Sequence, residues 1–248
     1  MTPPTLISVY NQSKRVSDAD VQKMVSAVGK QLARDVAPVH GQVPAVEFVP
    51  AGGRPSVPGG ARCDLIDEPD VPDVLGYHYE ADDGTQSIKV FVNPSLDNGA
   101  QVLTGRECVA ATLSHEAIEL TGDGPANKWV DGPGGTDFSY ELCDACQADL
   151  YEIDGVSVAN FLYQAFFDPR AEPGSRLDHM GKLSRPFMTG RGGYQITRTE
   201  PGKVSQVFGA TSAEAAPGVH VHFGPDFPEG RKAGQLWKAA RKRGNRKE

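Results

Sequence analysis

Several features are scarce or missing in this chain of 248 residues. No stretch approaches the roughly 18 consecutive apolar residues of a membrane-crossing helix, so no membrane partner is expected. The opening residues, Met1 to Arg15, hold neither the basic patch nor the apolar core of a secretory leader, and the expected location is the cytoplasm. Cysteine occurs only at 63, 108, 143 and 146, too sparse for a disulfide scaffold, and reduced thiols suit the same compartment. The glycine pairs at 52–53, 59–60, 134–135 and 192–193 are not followed by Lys and Ser or Thr, which excludes a phosphate cradle. No internal repeat is visible.

What the chain does have is turn-formers and acid. Its 28 Gly and 19 Pro exclude a compact helical bundle or coiled coil and predict many turns and long loops. The net charge of -7 is unevenly spread, because residues 231–248 carry eight basic residues and one acidic one. The body is therefore strongly acidic. That argues against nucleic acid as its main ligand and suits a cation. The basic tail suits contact with an acidic protein surface or nucleic acid.

Hydrophobic spacing predicts a strand at 5–10 and a helix from Ser17 or Asp18 to about residue 36. It predicts a further strand at 45–49, a loop over 50–75, and a hairpin of strands 75–79 and 88–92 turning at Asp83-Gly84. A helix is expected at 106–120, closed by Gly122, then a Gly-rich loop, then a second helix at 140–150. A hairpin at 151–158 follows. Residues 165–235 read as irregular with one strand at 193–199, and 235–243 as a short basic helix. The pattern is α+β rather than a regular βαβ series. It divides into a metal-binding domain at 1–160, a β-containing extension packed on it at 161–230, and the basic tail at 231–248.

The segment with chemistry in it is Ser114-His115-Glu116-Ala117-Ile118-Glu119, an HExxE pattern inside a predicted helix. Residues four apart share a helix face, so His115 and Glu119 can hold one ion. Glu116, one step round, is placed to take a proton from water on that ion. On the next predicted helix Glu141 and Asp144 share a face with Ala145 and Ala148, small residues that would let it lie close. Glu141 is the first choice for third ligand, and Asp144 is placed to orient the His115 ring. Asp123, at the end of the metal helix, competes with Glu141 as an oxygen ligand. The strand at 88–93 just before the metal helix would suit pairing with a peptide by β-addition.

His115-Glu116-x-x-Glu119 followed by Glu141 resembles the zincin metallopeptidases, over roughly residues 5–160. The closest arrangement is the gluzincin one, in which a downstream helix supplies a Glu ligand and an Asp braces a His. The resemblance implies zinc at His115, Glu119 and Glu141, Glu116 as general base, and a peptide or protein substrate. By the same analogy His179 or Tyr140 would stabilise the oxyanion. The family's second His is Glu119 here. A second carboxylate makes the ion a poorer Lewis acid and favours harder ions such as Mn²⁺ or Ca²⁺ more than usual. The chain is also similar to small proteins, some from bacteriophages, that carry SHExxE and a later YEL-C-D segment. That likeness implies a virion component docking on a protein assembly through the basic arm, without catalysis.

Two weaker signals remain. Cys143-Asp-Ala-Cys146 lacks the preceding strand of a thioredoxin-type site and the second pair of a zinc finger, so its cysteines are expected to pack. His220-Val-His222 has no companion cluster and reads as two surface histidines.

Overall fold

The computed structural model describes residues 4–72, 74–200 and 203–209. Strand β1, Leu6–Asn11, is buried along its first four residues, as expected of a strand covered on both faces. Ser17 then caps helix α1, Asp18–Gln31, its hydroxyl accepting from the Asp20 amide at 3.1 Å. The helix continues through a π-turn at Leu32–Val36 into a short α2, Ala37–His40. Strand β2, Ala45–Val49, closes a parallel crossover with β1.

Strand β3, Ala61–Ile66, lies inside the stretch expected to be loop. Its Gly/Pro-rich flanks disguise it, but Ala61, Cys63 and Leu65 alternate inward and its backbone pairs with β1 on one side. The expected hairpin is present as β4, Gly76–Glu80, and β5, Gln86–Phe91. β5 pairs with β3, which completes a five-stranded sheet of order β2-β1-β3-β5-β4. All neighbours are parallel except β4, which is antiparallel and sits at the edge. The strand expected to receive a peptide, β5, is therefore internal, and the edge belongs to β4.

A short helix α3, Val92–Asp97, leads on to helix α4, Val109–Asp123. Every residue of α4 except Gly122 is buried. Its rotation is pinned by a buried polar junction. Ser114 donates to Gln31 Oε1 at 2.6 Å and accepts from the Ala159 amide at 2.9 Å, while Gln31 Nε2 donates to the Ala159 carbonyl at 2.8 Å. With Ser114 turned toward α1, its neighbour His115 points elsewhere.

Beyond α4 lie β6, Trp129–Asp131, and β7, Asp137–Ser139, then β8, Leu150–Ile153, hairpinned with β9, Val156–Ala159. The helix expected at 140–150 is absent; only one 3-10 turn, Asp144–Cys146, forms there. The backbone groups a helix would need are taken by distant partners. The Leu142 carbonyl accepts from the Leu162 amide and the Ala145 carbonyl from the Gly190 amide, both at 2.7 Å. The Cys143 amide donates to Glu119 Oε1 at 3.3 Å. Gly122 permits this loop's approach, since a Cβ there would lie 2.6 Å from Leu142 Cδ1.

The strand expected at 193–199 is present as β10, Tyr194–Glu200, and a second one, β11, Lys203–Phe208, joins it in a second sheet of order β11-β10-β7-β6. The other fixed point after β9 is Asp178, wholly buried, which accepts from Asn160 Nδ2 and from the amides of Met180, Lys182 and Leu183. The basic helix at 235–243, His220, His222 and the arm at 231–248 lie outside the described residues. Among the described residues no helix is long and apolar enough to cross a membrane. The architecture is α+β, with several sheets and few helices.

Candidate metal centre

Helix α4 carries His115 and Glu119 on one face, as their spacing requires, with His115 Nε2 2.9 Å from Glu119 Oε1. Both are buried, as is Glu116. Strand β4 adds a residue the sequence reading missed. Gly76 lets the strand lie against α4, because a Cβ there would fall 2.8 Å from Thr112 Cγ2. Two residues on, His78 turns to the same face of the strand and enters the cluster, where it is 1% exposed. Its Nε2 lies 3.1 Å from the Asp123 carbonyl oxygen. A carbonyl only accepts, so Nε2 carries a proton and Nδ1 is the atom turned toward the acids. Nδ1 is 3.4 Å from Glu116 Oε2 and 3.7 Å from Glu119 Oε2.

The loop after β7 completes the cluster. Asp144 Oδ1 stands 3.2 Å from His115 Nε2, the same ring nitrogen that faces Glu119, and so lies where a ligand would rather than at the other nitrogen, where a brace was expected. Glu141, Glu119 and His78 offer ligand atoms within 4.8 Å of one another, and so do His115, Glu119 and Cys143. Glu141 thus groups with Glu119 and His78, whereas the trio expected to share one ion was His115, Glu119 and Glu141. Cys143, read as a packing residue, has its thiol in the cluster, and Cys146 packs with Leu162 and Phe166.

Other expected positions fall elsewhere. The Asp123 carboxylate accepts from the Lys128 amide, so the residue serves through its carbonyl, by orienting His78. Tyr140 packs on Phe167 under Lys128, and His179 stacks on Phe161 near Asp35. The phenol at the site is Tyr194 of β10, wholly buried. Burial, with the charges of Asp144 and Glu119, holds its pKa well above 10. Neither His78 nor Tyr194 had a signal within its own segment: alternation sets His78 on the face opposite Tyr77 and Tyr79 but does not say what that face meets.

No protein-family model, curated protein or solved structure matches this chain.

Glu116, Glu119, Glu141 and Asp144 are each exposed by 3% or less. Burial pushes the Glu119 carboxyl well above its usual range. The charges acting on it most strongly are two more carboxylates, Asp144 and Glu116. Burial likewise pushes the Cys143 thiol up, with Glu119 adding to the effect. Acids gathered this way favour a cation among them, because only then are several ionised forms tolerable out of water. The donor set fits one. Bonds of about 2.1 Å in a tetrahedral shell put ligand atoms about 3.4 Å apart, close to the separations around His115 and His78. Beside His115 a cavity of about 30 Å³ has room for roughly one water. Arg106, Ala148, Leu150 and Gly192 line both this cavity and a wider groove of about 510 Å³.

Proposed function

We propose that the chain is a divalent-metal protein of the zincin kind, a hydrolase acting on peptide bonds. The supporting observation is the buried convergence of two imidazoles with Glu119, Glu141 and Cys143, drawn from α4, β4 and the loop after β7. The resemblance carried by HExxE gains support from the sheet, in which a lone antiparallel edge strand, β4, lies beside the HExxE helix. His115, Glu119 and Glu141 are the expected ligands, with His78 added by its place in the cluster. Zinc suits the imidazoles and the thiol, and the surplus of carboxylates also suits Mn²⁺.

A bound divalent ion supplies Lewis acidity and makes a nearby water easier to deprotonate. Glu116 holds its Oε2 3.4 Å from His78 Nδ1, beside the ligand atoms, where it would accept that proton and pass it to the leaving amine. The Asp123 carbonyl keeps the His78 ring in place, and Asp144 adds an oxygen beside the metal-facing nitrogen of His115. The outer edge of β4 offers backbone groups to an extended peptide. Elemental analysis of wild type, His115→Ala and Glu119→Ala tests the metal, and equal content in all three would refute it. Peptide cleavage that survives Glu116→Gln would remove Glu116 as base.

Burial favours a second reading. His115, Glu116 and Glu119 are exposed by only 1–3%, and the adjoining cavity admits about one water rather than a substrate. A metal-stabilised, non-catalytic protein that docks on a larger assembly, such as a phage particle, fits that geometry. It predicts retained metal without turnover, and loss of docking when residues 231–248 are deleted. Normal docking by the truncated chain would clear the arm of that role.

A further inference from the structure

The Glu119 carboxylate faces two histidines with two different atoms. Oε1 lies 2.9 Å from His115 Nε2, and Oε2 lies 3.7 Å from Nδ1 of His78. We infer that the site is dinuclear, holding two divalent transition-metal cations bridged by Glu119. The inference rests on the metal-site reading above and extends it from one ion to two.

Each half has its own donors. The first ion takes His115 Nε2, Glu119 Oε1 and the Cys143 thiolate, with Asp144 Oδ1 alongside. Asp144 is 2% exposed, and its Oδ1 is aimed into the cluster and accepts no hydrogen bond. The second ion takes His78 Nδ1, Glu119 Oε2 and Glu141. A carboxylate that gives one oxygen to each of two ions holds them roughly 3.5–4 Å apart, the usual spacing of paired sites.

Charge argues the same way. Glu116, Glu119, Glu141 and Asp144 are four acids buried together. With the Cys143 thiolate they make five anionic groups; one divalent ion leaves three negative charges uncompensated out of water, and two ions leave one. The two halves also differ in softness. The His115 half includes sulfur and suits Zn²⁺, whereas the His78 half is oxygen-rich and accepts Zn²⁺ or Mn²⁺.

Metal stoichiometry separates this inference from the reading beneath it. The full-length protein is stripped with chelator, reloaded with Zn²⁺, gel-filtered and analysed for metal per chain. The expected result is two ions in wild type and one in each of His78→Ala and His115→Ala. One ion in wild type overturns the second site and leaves the metal-protein reading standing, whereas none overturns both. Two ions persisting in His78→Ala also overturn it, because the second ion is then elsewhere. Electron paramagnetic resonance of the Co²⁺-loaded wild type needs no variant to fold, and Co²⁺ accepts the sulfur, nitrogen and oxygen donors of both halves. A spin-coupled pair supports the bridge, and a spectrum of isolated Co²⁺ ions overturns it.

Discussion

Glu119→Gln tests whether the acid cluster is held at a cost that a cation relieves. The folded protein raises the Glu119 pKa well above its ordinary 4.5, first by burial and then by Asp144 and Glu116. A group with a raised folded-state pKa contributes stability below its unfolded value. That contribution is lost as pH rises toward the folded value. In the metal-free protein the loss runs at on the order of 1 kcal/mol per pH unit from about pH 5 upward, until Glu119 ionises in the fold. Gln keeps the shape and does not titrate, so the difference between the two proteins isolates this group from other titrations. His40 and His179, whose pKa values burial lowers, act in the opposite direction in both proteins alike. Metal-free Glu119→Gln therefore gains on wild type as pH rises from 5, at that slope, for as long as Glu119 stays protonated in the fold. With Zn²⁺ the trend reverses, because ligation requires the carboxylate and gains from high pH. Urea unfolding at pH 5, 6, 7 and 8, with and without chelator, measures both halves. Parallel stability curves for the metal-free pair would refute the buried-charge reasoning.

Three further substitutions probe what positions the cluster. Gly76→Val places a Cβ 2.8 Å from both Thr112 Cγ2 and the Lys89 carbonyl. A displacement of β4 costing about 1–3 kcal/mol should weaken metal binding about tenfold or more in a chelator competition, and unchanged affinity would show that this approach does not place His78. Ser114→Ala strips the partner from Gln31 Oε1 and from the Ala159 amide, with an expected cost of about 1–3 kcal/mol in urea unfolding; no measurable loss would contradict the role given to that junction. Asp178→Ala removes the acceptor shared by Asn160 and three backbone amides, for a cost of about 3 kcal/mol or more in thermal unfolding, and a near-neutral result would show that water replaces the carboxylate.

The legible parts of the sequence were those fixed by local chemistry. The apolar stripe from Val21 to Leu32 with Ser17 ahead of it announced α1, and Asp83-Gly84 between two alternating segments announced the β4–β5 hairpin. The HExxE helix could be read because its apolar residues and its spacing agreed. Elements fixed by partners far along the chain were not legible. Strand β3 alternates Arg62 and Asp64 with Ala61, Cys63 and Leu65 and has Gly/Pro-rich flanks, and the ladders to β1 and β5 make it a strand. His78 belongs to the site through its register against α4, a relation between segments that no spacing within one segment encodes.

The absent helix at 140–150 bears directly on what the site can hold. In a helix, Glu141 and Asp144 would share one face and the Cys143 amide would serve the helix's own ladder. The irregular loop sets that amide on Glu119 Oε1 and turns the two acids to different histidines, Asp144 toward His115 and Glu141 toward the His78 side. Regular structure is given up at the segment where acids must reach two points at once. The distant hydrogen bonds of Leu142 and Ala145 replace what the helix would have supplied. The loop's irregularity is thus tied to the shape of the cluster. Restoring helical geometry there should disperse the acids before it disturbs α4, whose rotation is fixed from its other side by Ser114 and Gln31.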